Sequence, residues 1–371
     1  MRRLRMGLIG GGPGAFIGPV HRIAAELDRE IELVAGVFSS DPDRSRQAGD
    51  AYRIDPRRAY PDIETMLARE ATRDDPIDFV TIASPNHHHL PAARLALEAG
   101  IAVISDKPAT ATLDEARALA QIVRQAGRPY GLTYTYCGYP LIREARARIA
   151  AGSLGVVRKV VVEYAQGWLA TAVEGKQSAW RGDPAQAGVG GAIADIGVHA
   201  FHLAEFVTGS RVTRLLADLA SVVPGRVLDD DCQLLLRFDN GARGALLASQ
   251  IMTGERNGLR LRVYGETGAL DWSQETPNSL TWRHGDGRTE ILQTGDASLG
   301  DDARRATRTP GGHPEGYLEA FANLYRDFAR QLRGEPGGLL PGIEDGLRGM
   351  ALIDLAVTAS REDAGWIDFE V

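Results

Sequence analysis

Hydrophobic residues in the first third of the chain come in short unbroken runs separated by stretches with helical spacing. The runs at residues 4–9, 31–38, 79–83, 101–105 and 130–133 are continuous, as strands buried on both faces require. Residues 19–27, 63–69, 90–99 and 113–125 instead place apolar side chains every three or four positions, the period of an amphipathic helix. The alternation predicts a doubly wound parallel sheet with helices on both faces. Gly100 and Gly127 follow two of the helices, and Asp114 and Glu115 sit in a first turn, where the helix dipole favours anions.

The period changes after one more helix, 142–151, closed by Gly152. Segments 156–164, 212–221, 232–238, 242–252, 259–264, 268–272 and 279–283 read as strands joined by turns such as Asp239-Asn240-Gly241. Together they predict a second, α+β domain on a mostly antiparallel, open-faced sheet, with helices 199–208, 317–331 and 344–360 on one face. The expected boundary divides residues 1–133 from 134–371, and residues 295–314 form the expected mobile loop. The uncovered face, expected to include Leu234, Leu236, Ala245 and Leu247, predicts self-association as a homodimer or homotetramer.

Composition narrows the partners. A chain of 371 residues, 44% hydrophobic and 25% charged, has the make-up of a globular protein with room for two cores. Its formal charge of −7, with scattered basic residues, argues against nucleic acid or an anionic membrane as partner and favours a small molecule. Only two cysteines occur, Cys137 and Cys232, without metal-ligand spacing, which predicts a reducing compartment. The brief apolar run after the basic start is too short for an export signal, so a cytoplasmic location is expected.

The first run breaks at Gly10-Gly11-Gly12-Pro13-Gly14-Ala15, four of these glycines falling within five residues. Glycines after a strand and before a helix let main chain approach a pyrophosphate, which then meets the free N–H groups of the helix. The third glycine of the usual Gly-x-Gly-x-x-Gly pattern is replaced by Ala15, small enough for close packing. Because Gly18-Pro19 resembles a second helix start, the expected loop extends from Gly10 to Gly18, with the helix from Pro19 to Leu27.

Three further stretches carry chemistry. Ser84-Pro85-Asn86-His87-His88-His89 follows an apolar strand, at the strand ends where doubly wound folds bind ligands. Adjacent histidines at a helix start point in different directions, so helix capping competes with a metal reading, and no metal is expected. Asp106-Lys107-Pro108 ends the next strand and supplies an ammonium able to stabilise a developing alkoxide, or a solvated charge. In the second domain, Asp195 and His199 stand four apart behind Gly190 and Gly191, on one helix face if the helix already runs there. The competing reading is an N-cap aspartate and a packed histidine.

Taken together, these stretches resemble the Gfo/Idh/MocA family of NAD(P)-dependent sugar and polyol oxidoreductases. The resemblance spans nearly the whole chain. It rests on the glycine turn, Ser84-Pro85-Asn86-x-x-His89, Asp106-Lys107-Pro108 in place of Glu-Lys-Pro, Gly191-x-x-x-Asp195-x-Gly197-x-His199, Trp180-Arg181 and Pro341-x-x-Glu344-Asp345. It implies an N-terminal Rossmann domain whose cofactor is held by Gly10, Gly12, Pro13, Ala15, Phe16 and Ile17 and by Ser39, Ser40 and Arg44. Ser84, Pro85, Asn86 and His89, with Asp106, Lys107 and Pro108, would complete that site.

It further implies catalytic roles for Lys107, Asp195 and His199, with Tyr136, Trp168, Trp180 and Arg181 joining them in the substrate site. The implied reaction interconverts a ring hydroxyl and a ketone on a sugar, sugar derivative or cyclitol. A glycosidase that oxidises transiently with NAD, and a non-catalytic dinucleotide-binding sensor, are the alternatives. His202 replaces a common family aspartate, and no arginine occurs in Tyr134-Thr135-Tyr136-Cys137-Gly138-Tyr139, which leaves the substrate open. Serine rather than aspartate at position 39, with Ser40 and Arg44 beside it, slightly favours NADP with NAD also used; Asp41 is the residue able to reverse this.

Overall fold

The computed structural model describes residues 2–171, 188–336 and 338–371. The chain divides into two compact units, one of residues Met1–Tyr134 with Phe321–Leu347, the other of Thr135–Ala320 with Arg348–Val371. The C-terminal part therefore does not stay with the second unit throughout. Helix α9 (Tyr317–Leu332), expected on the second sheet, enters the first unit from Phe321 onward. There Phe328 meets Phe79 edge-on at 5.1 Å, and the Tyr325 hydroxyl lies 3.1 Å from that of Thr81.

In the first unit β1 (Leu4–Gly10), β2 (Ile31–Val37), β3 (Phe79–Ala83), β4 (Ala102–Ser105) and β5 (Tyr130–Leu132) form a sheet in the order β2-β1-β3-β4-β5. All its pairings are parallel, and β3 and β4 are buried along their whole length, which accounts for their unbroken apolar runs. The order reverses between β1 and β3, so the ligand crevice of this topology opens at the ends of those two strands. Helices α1 (Ile17–Glu26), α2 (Pro42–Tyr52), α3 (Ile63–Glu70), α4 (His89–Glu98) and α5 (Leu113–Ala126) complete the winding. The apolar pattern predicted four of these and missed α2, whose sequence PDRSRQAGDAY is polar and buries only Ser45, Ala48, Gly49 and Tyr52.

The expected loop from Gly10 to Gly18 is shorter in the structure, because α1 begins at Ile17 and Gly18 lies in its first turn. A Cβ on Gly18 would stand 2.2 Å from the Cα of Gly11, so the close packing expected of Ala15 belongs to Gly18 instead.

The second unit holds nine strands, β6 (Val157–Ala165), β7 (Val212–Ala220), β8 (Asp231–Phe238), β9 (Arg243–Ser249), β10 (Gly258–Gly265), β11 (Gly268–Ser273), β12 (Ser279–His284), β13 (Thr289–Gln293) and β14 (Ile367–Asp368). Their order is β13-β12-β11-β10-β6-β9-β8-β7-β14, antiparallel throughout except for the β6–β9 pair. Strands β13 and β14 escaped the sequence pattern; β13, TEILQ, buries only Leu292, and β14 has two residues. Helices α6 (Pro140–Ala150), α7 (Val198–Thr208), α8 (Asp301–Arg305) and α10 (Ile343–Arg361) accompany α9. The expected mobile loop contains α8, with Leu299, Ala303 and Ala306 buried and the Glu315 carboxylate accepting from the Arg308 and Thr309 amides.

Alternation sorts the sheet into two faces. Leu234 and Leu236 are buried, and Leu234 pairs with buried Leu246, so these two leucines belong to the core face and not to the open one. The half-exposed face carries Leu235 opposite Ala245, which pairs in turn with Val161. An expectation that mixed positions of both parities placed Leu234 and Leu236 wrongly, because a shift of one residue reverses the face.

One buried ion cluster holds α7, β7 and α10 together. Glu205 receives a bidentate pair from Arg348 at 2.6 and 2.8 Å, a third bond from Arg211 at 2.9 Å, and the Val212 amide at 2.7 Å. Glu205→Gln keeps the shape and removes the charge, leaving the part-buried Arg348 with the Val212 carbonyl oxygen but without its counter-charge. It is expected to cost about 3 kcal/mol, read as a lowered denaturant midpoint with an unchanged slope.

Candidate active site

The first unit builds a cradle from main chain. Gly10, Gly11 and Gly14 take φ of +95°, +76° and +79°, which side-chain-bearing residues rarely adopt. A Cβ on Gly10 would lie 2.4 Å from the Ala83 carbonyl oxygen, and one on Gly12 2.3 Å from that of Phe38. The loop is therefore pressed between the ends of β2 and β3. Tyr52 donates its hydroxyl to the Gly11 carbonyl at 2.7 Å, so the helix missed from sequence fixes the loop. Phe16 caps α1 without a side-chain hydrogen bond, and Pro13, Phe16 and Gly14 are exposed while Ala15 and Ile17 are half-buried.

This cradle fits a dinucleotide. Free amides at the start of α1 and glycines that admit close approach suit a pyrophosphate, and the Ser84 hydroxyl at the end of β3 is buried without a protein partner. At the end of β2, Ser39 is half-buried and Ser40 and Arg44 are exposed. The Asp41 carboxylate accepts from the Asp43 and Arg44 amides at 2.9 and 3.2 Å, capping α2.

Two polar groups organise the ends of β3 and β4. His89, 1% exposed, sets Nε2 2.8 Å from the Ser84 carbonyl oxygen and Nδ1 2.8 Å from that of Pro108, tying the two strand-end loops together. Asp106 accepts from the Lys107 amide at 2.9 Å and from the Thr133 hydroxyl at 2.9 Å. Both side chains therefore work on neighbouring loops, and Lys107, half-buried, stands in sequence between Asp106 and the Pro108 whose carbonyl oxygen His89 meets. Asn86 is buried in a short 3-10 turn with His87 and His88, whose rings lie 3.9 Å apart. Burial and its two histidine neighbours hold His88 below the usual imidazolium range. Among the described residues, no three His, Cys, Asp or Glu side chains are arranged to hold a metal.

The second unit places Asp195 and His199 at the start of α7. The regular helix assumed from their spacing is absent at Asp195, since Ile193–Gly197 form a π-helical turn running into α7. Such turns recur at functional sites because they displace side chains from helical register. Its N-terminal amides are satisfied by Asp229, which accepts from Gly191 at 2.5 Å and Ile193 at 2.8 Å. What Gly191 approaches is this segment: a Cβ there would lie 2.1 Å from the Asp229 carbonyl oxygen. Burial raises the Asp229 carboxyl above the usual carboxylate range.

A hydrogen-bond network surrounds the pair. Gln250, 3% exposed, donates to Asp195 at 3.0 Å and lies 3.5 Å from the side-chain Oε1 of Gln166. Gln166 donates to Asn257 at 2.9 Å; Asn257 in turn donates to Tyr136 at 3.3 Å and accepts from Tyr164 at 2.7 Å. The two phenols are hydrogen-bonded to one another, and the Tyr136 ring stands edge-on to His199 at 4.9 Å. Burial pushes both phenols upward, so each keeps its proton. Trp168, 37% exposed, donates its indole N–H to Gln166 at 2.9 Å.

Asp195, His199, Tyr136 and Trp168 thus share one network. Trp180 and Arg181 lie outside the described residues. His202 is buried and stacks on Phe206 at 5.7 Å. Sequence reasoning missed Gln166, Gln250, Asn257 and Tyr164; the available signal was two glutamines directly after apolar strands, where a turn residue is usual.

Comparison with known proteins bears on both units. Residues 4–134 match the oxidoreductase family with an NAD-binding Rossmann fold, and residues 142–271 match the GFO/IDH/MocA C-terminal domain. An inositol dehydrogenase homologue from Azotobacter vinelandii, complexed with NAD+, is 36% identical with a TM-score of 0.95, over 99% of this chain and 98% of that one. An inositol dehydrogenase homologue from the same organism, complexed with NADH and myo-inositol, gives 35% and 0.92 over 99% and 98%. Levoglucosan dehydrogenase of Pseudarthrobacter phenanthrenivorans is 27% identical over 99% of this chain and 97% of its own. The chain belongs to the Gfo/Idh/MocA oxidoreductase family.

Proposed function

We propose that this member of the Gfo/Idh/MocA oxidoreductases moves a hydride between a nicotinamide and a ring carbon of a sugar or cyclitol, interconverting hydroxyl and ketone. The observation that carries the reading is the retained set Lys107, Asp195 and His199, with Asp195 held by Gln250 and His199 faced by Tyr136. A protein that only senses a dinucleotide has no use for proton-transfer groups. The relatives named for inositol and levoglucosan support the substrate class.

In oxidation, His199 accepts the hydroxyl proton at its imidazole, whose ordinary pKa lies near neutral pH. The Lys107 ammonium donates a hydrogen bond to the same oxygen and stabilises the charge that develops there. Asp195, fixed by the Gln250 amide, orients the substrate and favours the protonated imidazole. The bound nicotinamide supplies the hydride acceptor. Tyr136 and Trp168 offer aromatic faces and amide-linked polar edges to a ring bearing hydroxyls.

Lys107→Ala and His199→Ala are each expected to lower kcat by roughly two to four orders of magnitude while NADH still binds, followed by its fluorescence. The wild type is assayed with sugars, cyclitols and their keto forms at the NAD(P)H absorbance. Near-normal turnover in both variants would remove the assigned roles; hydrolysis without net redox would favour the glycosidase.

NAD is the cofactor of the related structures. The finer reading is that NADP is accepted too and slightly preferred, because Ser39 and Ser40 carry no charge to repel a 2′-phosphate, Arg44 lies beside them, and Asp41 is engaged in its helix cap. The kcat/KM values for the two cofactors are expected within roughly tenfold of each other, a gap of about 1.4 kcal/mol. A large preference for NAD would mean that Asp41 or loop main chain reads the ribose.

Self-association completes the proposal. The half-exposed sheet face runs from Leu216 through Leu235, Ala245 and Val161 to Arg262 and Asp271, and Leu235 is 46% exposed. An apolar row ending in Arg262, paired with Glu163, and Asp271, paired with Arg260, suits a second copy of itself in antiparallel orientation. Sedimentation is expected to show a dimer or tetramer at micromolar concentration and Leu235→Arg to weaken it; a stable wild-type monomer would refute the assignment.

A further inference from the structure

His21 has no part in the chemistry above, yet it is the most completely buried histidine of the first unit, at 0% exposure. Its Nδ1 lies 2.7 Å from the Tyr325 hydroxyl, and its ring stands edge-on to Phe321 at 4.8 Å. The other nitrogen, Nε2, is buried without a hydrogen-bond partner and sits 4.0 Å from Oδ1 of Asp106. That same Oδ1 accepts from the Lys107 amide and the Thr133 hydroxyl.

Two proton arrangements are open to the chain Thr81, Tyr325, His21. In one, Thr81 donates to the Met6 sulfur at 3.1 Å, Tyr325 donates to Thr81, and His21 donates from Nδ1. The bare lone pair of Nε2 would then face a carboxylate across a dry gap. In the other, Thr81 donates to Tyr325 and Tyr325 to Nδ1, so the proton sits on Nε2 and points at Asp106. The second keeps the Thr81–Tyr325 and Tyr325–His21 bonds, gives up only the weak bond to the thioether, and turns a repulsion at Nε2 into an attraction.

We propose that His21 is a positioning residue for the reaction, its Nε2–H tautomer facing Asp106 and holding that carboxylate on the Lys107 amide and the Thr133 hydroxyl. Lys107 is thereby aimed from behind. The distance is beyond a hydrogen bond, so the interaction orients a charge by a dipole. The groups that face the ring are Asp106 from the loop after β4, His89 from α4, and Tyr325 and Phe321 from α9. Burial pushes the imidazolium down to about 4, Asp106 opposing and His89 adding to the shift. The ring is therefore uncharged at neutral pH. This inference rests on the assignment of Lys107 to the substrate oxygen.

Nitrogen-15 NMR of the histidine rings in the full chain without cofactor, assigned with a His21 variant, reads the tautomer without any activity. Nε2–H with no titration down to pH 5 is expected; Nδ1–H, or titration near 6.5, overturns the proposal even if the enzyme is active. Asp106→Asn should move the Nε2 resonance, and no movement counts against it. Kinetics with NAD+ and the best substrate of the panel give the second arm. His21→Phe, which keeps the ring packing, is expected to lower kcat roughly tenfold to a hundredfold with KM for NAD+ and the affinity for NADH within about twofold. His21→Gln, whose amide nitrogen can replace Nε2–H, is expected to recover most of kcat, and His21→Asn is not. Equal losses in the Gln and Phe variants, or no loss in Phe, would leave His21 a packing residue. Should no substrate be turned over, the functional reading fails while the tautomer still stands or falls on the spectra. Should His21→Phe not fold, Tyr325→Phe, which removes only the phenol oxygen, is expected to mix the two tautomers, and an unchanged spectrum overturns the proton order.

Discussion

At the end of β1 main chain meets main chain with no room for a side chain between. Gly18 lies against Gly11, Gly12 against the Phe38 carbonyl and Gly10 against that of Ala83, each closer than any Cβ would allow. Because these approaches fix where α1 begins, they also fix where its free amides point, and hence where an anion can sit. The ends of β2 and β3 are drawn into the same cradle by contact with the loop. Tyr52 adds one hydroxyl bond to Gly11, so a polar helix with little apolar surface is held in place by what it does for the loop.

In both units, carboxylates work on the chain's own main chain. Asp41 caps α2, Asp106 gathers the Lys107 amide, and Asp229 satisfies the π-helical turn that carries Asp195. Each removes an unpaired amide that would otherwise cost folding free energy. Asp41 is engaged in the cap of α2, and Asp195 accepts from the neutral Gln250 amide.

Around Asp195 and His199 in the second unit stands a set of neutral donors and acceptors. Glutamine, asparagine and tyrosine link Asp195 to the wall beside His199 without introducing another formal charge. A ring with several hydroxyls is read by groups of this kind, since each can donate or accept as the ring requires. The network also stiffens the wall, because moving one amide breaks bonds to two neighbours.

The order of strands and of four of the five helices in the first unit, the change to a mainly antiparallel sheet and the place of Lys107 just after β4 were legible in the sequence. Unbroken apolar runs and period-two alternation report burial directly, and short motifs report chemistry that needs particular side chains. The start of α1, the helix Pro42–Tyr52 and the face to which Leu234 belongs were not. Each depends on a neighbour distant in sequence: Gly11 for Gly18, Gly11 again for Tyr52, and the β9 register for Leu234. The same holds for His21, which reads as one more residue on a helix until Tyr325, 304 positions away, takes its Nδ1 and turns Nε2 toward Asp106. Local pattern determined the elements because backbone geometry repeats along the chain; only tertiary contact decided the partners, because a hydrogen bond or a backbone approach has no period in sequence.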